Sequence, residues 1–255
     1  MAATLEVIAV SGLPMVRTGD DLAALVSRAP AGARLEFRDR DVVVFAQKVF
    51  SKSEGRSVAL ADVVPSALAL EVAAEVRKDP RLVELVLRES KRIVRKIPDV
   101  LIVEHRLGLI MANAGIDQSN VADPASGETA LLLPVDPDAS VEHLRGDLQR
   151  LTGRTLAVVI TDSLGRPWRL GTVGVALAFA GRPALLDLRG MPDLFGRTLQ
   201  ATVIAYADEI AATASLLMGQ EREGRPVVIV RVLAATGAAA PANSIVRDPP
   251  EDLFR

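Results

Sequence analysis

Lys52, Asp117, Asp162, Ser163 and Gln220 stand in polar segments that each follow an apolar run. SKSEGR (51–56), NAGIDQSN (113–120) and TDSLGRPWR (161–169) come after strand-like runs, and MGQEREGRP (218–226) after a long helical pattern. Loops held at both ends by rigid elements are where binding and catalytic groups collect. Pooled, the segments supply Lys52, Asp117, Asp162, Ser163, Gln220 and several arginines, in a chain with no cysteine and with only His105 and His143 as histidines. That is a hard-oxygen donor set, suited to magnesium or manganese held jointly with nucleotide phosphates rather than to zinc. Read singly, each residue also has a quieter role. Asp117 and Asp162 suit Asx turns, and Lys52 a solvated turn. Gly12 and Pro14 suit the exit from a strand, and Asp208 and Glu209 the solvated face of a helix. His105 reads as a structural residue in a strand, and His143 as an exposed helical one.

Several classes are excluded. Without cysteine there are no disulfides, zinc–thiolate sites, iron–sulfur clusters or thiolate nucleophiles. No GxxxxGK[ST] occurs, no GxGxxG opens a helix, and GxSxG is missing, which sets aside P-loop, Rossmann and α/β-hydrolase sites. A net charge of −2, from 30 basic and 32 acidic residues, is unlike the basic excess of a nucleic-acid binder. The single Trp168 and Tyr206 offer few platforms for stacked bases. Charges, glycines or prolines interrupt every apolar run before it could span a bilayer. The start MAATLEVIAVSGLP lacks a basic leader region and reads as a first strand. A soluble, cytoplasmic protein is expected.

The elements that must position these segments follow from periodicity. A chain of 255 residues can bury a large core. Strands are expected at Leu5–Val10, Asp41–Val49, Thr155–Thr161, Thr172–Ala180 and Pro226–Leu233, with a hairpin from Leu101–His105 and Leu107–Ala112. Helices are expected after Asp20 or Asp21, over Pro65–Lys78, from Asp79-Pro80, from Asp138 or Ser140 to about Leu151, and over Arg197–Met218 with Gly219 as its stop. Val121–Glu128 reads as a polar loop and Ala234–Arg255 as a loop or tail. Helices and strands mix without regular βαβ alternation, so an α+β fold is expected, with mixed or antiparallel sheets and flanking helices.

Taken in order, the motifs resemble the coenzyme F-420:L-glutamate ligase family. The likeness runs from Gly12-Leu13-Pro14 to Gly224. It is carried by Lys52-Ser53-Glu54-Gly55-Arg56, by NAGIDQSN, by Thr161-Asp162-Ser163 with Gly165-Arg166, by Ala207-Asp208-Glu209-Ile210-Ala211-Ala212 and by Leu217-Met218-Gly219. The resemblance implies a GTP-dependent amide ligase that extends the phospholactyl side chain of F-420-0 with L-glutamate and then adds γ-linked glutamates, releasing GDP and phosphate. It also implies an α+β fold of two intertwined parts, a homodimer, two divalent cations (Mg2+ or Mn2+) and often K+. Carried onto this chain, Leu13, Pro14, Met15 and Val16 would line the nucleotide site. Lys52 would contact the phosphates, with Gln47 and Lys48 nearby. Asp117 and Asp162 would hold one metal, and Ser163 and Gln220 the other. Asn120 and the run Met218, Gly219, Gln220, Glu221, Arg222, Glu223, Gly224 and Arg225 would contact the nucleotide. Two positions depart from the archaeal pattern, which tends to carry Ser-Thr at Gln47-Lys48 and an acid at Gln220.

Lys52, Asp117 and Asp162 are the candidates for the chemical step, since phosphoryl transfer to a carboxylate needs positioning and charge neutralisation. Arg166, Arg169 and Arg197 are candidates for anionic substrate groups. Trp168 is a candidate for stacking on a deazaflavin, with core packing as its alternative. A ligase or kinase of another small carboxylate, and a non-catalytic nucleotide-binding module, remain as rival functions. Residues 1–245 are expected to form the ligase domain and 246–255 a tail. Asp248–Arg255 resembles the junction at which actinobacterial relatives continue into a flavin-reductase-like domain.

Overall fold

The computed structural model describes residues 4–29, 36–121, 127–231 and 245–252. Its centre is a five-stranded sheet in the order β1 (Glu6–Ala9), β12 (Val227–Arg231), β2 (Val42–Ala46), β8 (Ala157–Arg166) and β9 (Arg169–Ala180). Only β2 and β8 run parallel; the other neighbours are antiparallel. The VVVFA run of β2 is apolar on both sides because both faces of the sheet are covered. Val43 and Phe45 face one core, with α1 (Leu22–Arg28) and α5 (Pro137–Thr152). Val42 and Val44 face the other, with α6 (Tyr206–Met218). Small residues let α6 lie close on β9, since a Cβ on Gly174 would fall 2.6 Å from the Ala211 carbonyl oxygen.

Between β2 and α5 the chain builds a further layer. After α2 (Gln47–Ser53), β3 (Ser57–Ala59) pairs with β7 (Thr129–Leu131). The intervening chain forms α3 (Ala67–Val76), α4 (Pro80–Arg88) and the sheet β4 (Ser90–Ile97), β5 (Val100–His105) and β6 (Ile110–Ala112) around its own apolar cluster. The fold is α+β, as expected. Of the two candidates Asp20 and Asp21, Asp21 caps α1, and Asp79 caps α4 as expected, each accepting a bond from the first helical turn.

Other boundaries moved, for identifiable reasons. The strand expected over 41–49 stops at Ala46, and Gln47 enters α2 at once, so Lys52 stands on a helix rather than in a turn. The helix expected from Arg197 starts at Tyr206. Before it, Asp193 accepts the backbone N–H groups of Phe195 and Arg197 in a turn, and Val203–Ile204 (β11) pairs with Leu186–Asp187 (β10). The polar segment 161–169, expected to be a loop, is mostly strand: β8 and β9 continue to a tight turn at Pro167-Trp168, where Trp168 has φ 58°. Helix α5 is capped by Asp136, with Pro137 in its first turn, two residues ahead of the expected start. The SKRIVRKI strand β4 and the three-residue strands β3 and β7 were not foreseen. Much of the expected loop at 121–128 and of the expected tail lies outside the described residues.

Candidate functional site

The parallel pairing of β2 with β8 aligns Ala46 with Thr161, so both strands deliver their following residues to one edge of the sheet. From β2 this brings Gln47, Lys48 and Lys52 of α2; from β8 it brings Asp162 and Ser163. The register of β8 against β9 slips between Ile160 and Thr161, a bulge of the kind that re-aims side chains beside sites. A cleft of about 860 Å³ opens there. One wall is Leu13–Val16, another the run Met218–Arg225 after α6, and Lys48, Lys52, Asn120, Asp162 and Ser163 lie between. Gly219 turns the chain at the end of α6 with φ 75°, and a side chain there would overlap the Glu223 carboxylate. That carboxylate in turn accepts the N–H of Glu221 at 2.9 Å.

Asp117 reaches the site from the other layer. Asn113, Ala114 and Gly115 all have positive φ (50°, 53° and 66°), a costly local path that recurs at functional turns. The Asp117 N–H then donates to the Leu131 carbonyl at 3.0 Å, and the Leu131 N–H to the Asp117 carbonyl at 2.8 Å, which fixes its backbone. Asp117 stands behind Lys48, whose Nζ lies 2.6 Å from Oδ2. Lys52 Nζ donates to the Asn120 carbonyl at 2.8 Å. Asn120 Nδ2 donates to the Glu221 carbonyl at 2.9 Å, tying this loop to the wall after α6. Ser163 Oγ donates to Gln220 Oε1 at 2.9 Å.

The charges here are incompletely compensated. Burial pushes the Asp162 carboxyl up to about 6, against the bond from the Ser163 N–H, and the neighbouring Asp117 carboxylate pushes the same way. Burial also raises Asp117, but the bonds from Lys48 and Ser119 outweigh it and leave that carboxyl below its usual range. Burial and the adjacent Lys48 ammonium lower Lys52. Gln47 is buried; its Oε1 accepts from Ser51 Oγ at 2.8 Å, while Nε2 has no protein partner. Among the described residues, no three His, Cys, Asp or Glu side chains form a metal cluster. A cation here would therefore take two carboxylates and complete its shell with neutral oxygens, which suits Mg2+ or Mn2+. The desolvated Asp162 beside Asp117, with only partial countercharge, fits such an ion.

The model of the family described as F420-0:Gamma-glutamyl ligase matches residues 12–232. The chain belongs to the F420-0:gamma-glutamyl ligase family. Among its relatives, the Coenzyme F420:L-glutamate ligase of Methanothermobacter thermautotrophicus is 44% identical over 256 residues, covering 98% of this chain and 99% of that protein. The protein of the same name from Methanopyrus kandleri is 44% identical over 244 residues, covering 94% and 93%. That of Archaeoglobus fulgidus is 43% identical over 251 residues, covering 98% and 96%.

In this member of the F420-0:gamma-glutamyl ligase family the cleft gathers every residue expected at the nucleotide site, with Asp117 attached through Lys48. Arg166, Arg169 and Arg197 do not line it. Trp168 is exposed at the hairpin tip, so core packing is ruled out for it. Asp208, expected on a solvated face, is turned inward and accepts the Ala176 N–H at 2.9 Å. His143 is exposed, as expected, and His105 is fully buried beside Glu89. Sequence reasoning missed Ser119, whose Oγ and N–H both donate to Asp117 Oδ1 at 2.7 Å; its place two residues after an aspartate was the available signal. Thr161, part of the Thr161-Asp162-Ser163 triplet but given no role there, also lines the cleft, as does Ser215, which carried no signal of its own.

Proposed function

We propose that the chain is a GTP-dependent ligase of coenzyme F420 biosynthesis, joining L-glutamate to the phospholactyl or a related carboxylate of F-420-0 and then adding γ-linked glutamates. The observation that carries this reading is the cleft itself, which sets two ammonium groups, Lys48 and Lys52, beside Asp162, Ser163 and Gln220 between two loops. A free carboxylate does not form an amide in water, because its oxygen leaves poorly. Transfer of the γ-phosphoryl group to that oxygen breaks the β–γ anhydride and releases GDP. The glutamate amine then adds to the acyl carbon, phosphate departs, and the nitrogen loses a proton.

In this scheme Lys52 meets the phosphates, and its hold on the Asn120 carbonyl sets its reach. Gln47 Nε2 supplies a donor to the nucleotide. Leu13–Val16 and Met218–Arg225 enclose the nucleotide and limit water. Asp117 and Asp162 would hold one divalent cation and Ser163 with Gln220 a second; such ions neutralise phosphate charge. K+ belongs to the same reading, as does a cytoplasmic location. Among the described residues no helix is long and apolar enough to cross a membrane. A homodimer is part of it too. It is supported by large apolar side chains left in solvent, Leu170 at 100%, Leu194 at 98% and Phe195 at 96% exposure, which is how interaction surfaces look.

The test is phosphate release from GTP with Mg2+ or Mn2+, with and without F-420-0 and L-glutamate, followed by mass spectrometry of the products. A ladder spaced by glutamyl units and dependent on all three substrates is expected. GTP binding without a ladder, using authentic acceptor, would overturn the reading and favour a ligase of another small carboxylate.

A further inference from the structure

Lys48 is more than a neighbour of the phosphate site. Its ammonium sits inside a small cage of oxygens, 2.6 Å from Asp117 Oδ2, 3.0 Å from the Ser119 carbonyl and 3.2 Å from Ser119 Oγ. Asp117 Oδ1 is also taken, by the N–H and Oγ of Ser119. Both oxygens of the carboxylate are thus engaged within the protein. An incoming cation must remove the ammonium before it reaches Oδ2. Lys52 offers no such competition, because its own ammonium is bound to the Asn120 carbonyl.

We propose that Lys48 is a built-in competitor cation. Without metal it holds the Asp117 cage shut, and a divalent ion on Asp117 displaces its ammonium into the cleft, which Lys48 also lines. There the freed charge meets the nucleotide's phosphates. The device would make metal and nucleotide binding mutually supporting. Metal alone must work against an ion pair, whereas metal with nucleotide gives the displaced ammonium a new anionic partner. The inference rests on reading Asp117 and Asp162 as the metal-holding pair.

The probe is Mn2+ alone, titrated into the full chain without nucleotide and followed by electron paramagnetic resonance of the free ion. Lys48→Met removes the charge at similar length and should bind Mn2+ about tenfold tighter, the scale expected for losing a partly exposed ion pair and a nearby like charge. Lys48→Gln should gain similarly, and Lys48→Arg should stay close to the wild type. Thermal melts check that each variant is folded. Mn2+ binding that depends on Asp117 but is unchanged or weaker in Lys48→Met and Lys48→Gln overturns the role of Lys48 and leaves the metal reading standing. Absence of Mn2+ binding in wild type and variants alike overturns both. A second readout is the coupling itself. GTP should tighten Mn2+ binding less in Lys48→Met than in the wild type, and an equal gain overturns the displacement.

Discussion

Glu89 and Asp162 are both carboxylates withdrawn from water, and their surroundings drive them in opposite directions. Burial alone would raise Glu89, but His105 beside it and the Arg56 and Arg106 guanidiniums outweigh that and hold it at about 2. Its Oε2 lies 3.0 Å from Arg56, 2.9 Å from Arg106 and 3.6 Å from His105 Nε2. For Asp162, burial and the neighbouring Asp117 carboxylate outweigh one backbone donor and the Lys48 ammonium, and its carboxyl rises to about 6. A charge network closed within the protein is a structural joint. One left short of positive charge is a place for a ligand, and such perturbed groups gather at functional sites. The joint stands near the cleft without depending on it: Arg56, shortly after α2, binds the Leu133 carbonyl through Nε at 2.8 Å, a bond that does not involve Glu89.

The contrast predicts opposite outcomes for removing each charge. Asp162→Asn and Asp117→Asn should each lower kcat/KM for the ligation by at least about a thousandfold, several kcal/mol of charge stabilisation. Asp162→Asn should leave the thermal midpoint unchanged or higher, since it relieves a desolvated charge. Steady-state kinetics beside calorimetry would check this, and a variant with near-normal turnover would sink the functional side of the comparison. Glu89→Gln should do the reverse. It strands buried positive charge and should cost about 3 kcal/mol of folding stability, read by denaturant unfolding, while turnover per folded molecule stays near that of the wild type.

Acid sharpens the same distinction. Glu84 is also held at about 2, by the hydroxyl and N–H of Ser66 and then by Arg88. The folded forms of Glu84 and Glu89 therefore lose their protons well below the ordinary value of 4.5. Below that value the unfolded chain binds more protons than the folded one, so their contribution is complete above pH 4.5 and drains away as pH falls toward 2. Melting temperature should drop on acidification through this window, and Glu89→Gln should show a shallower slope. Equal slopes would mean that Glu89 is not the closed network described.

How much of this was legible beforehand differs between the two regions. The cleft residues sit in short polar runs beside strongly patterned strands, so NAGIDQSN and TDS stood out from the sequence, and the family resemblance ordered them. The joint did not stand out. Arg56, Glu89 and the adjacent His105 and Arg106 come from three distant stretches of chain, and nothing local marks them as partners until β4 and β5 pair and α4 packs beside them. The same gap explains the missed β4: the alternation in SKRIVRKI is weak, and its lysines and arginines find partners only on neighbouring elements, as Arg92 does on Glu104 at 2.8 Å. Helix α2 was missed because VVVFAQKV continues a strand-like apolar run, and it is tertiary packing of Val49 and Phe50 that turns it into a helix.

The smallest effect tests whether polar contacts at the open mouth of the cleft resemble the joint. Asn120 is exposed, has φ 55°, and bridges to the Glu221 carbonyl. Asn120→Gly removes the bridge and keeps the left-handed backbone, whereas Asn120→Ala removes the bridge and adds the strain of a Cβ at positive φ. A single neutral hydrogen bond is worth about 1 kcal/mol, so both variants should raise the KM for the nucleotide by about fivefold. Only Asn120→Ala should also lose about 1 kcal/mol of stability, the cost of left-handed backbone. Normal nucleotide affinity in Asn120→Gly would mean the two cleft walls hold their spacing without this bond.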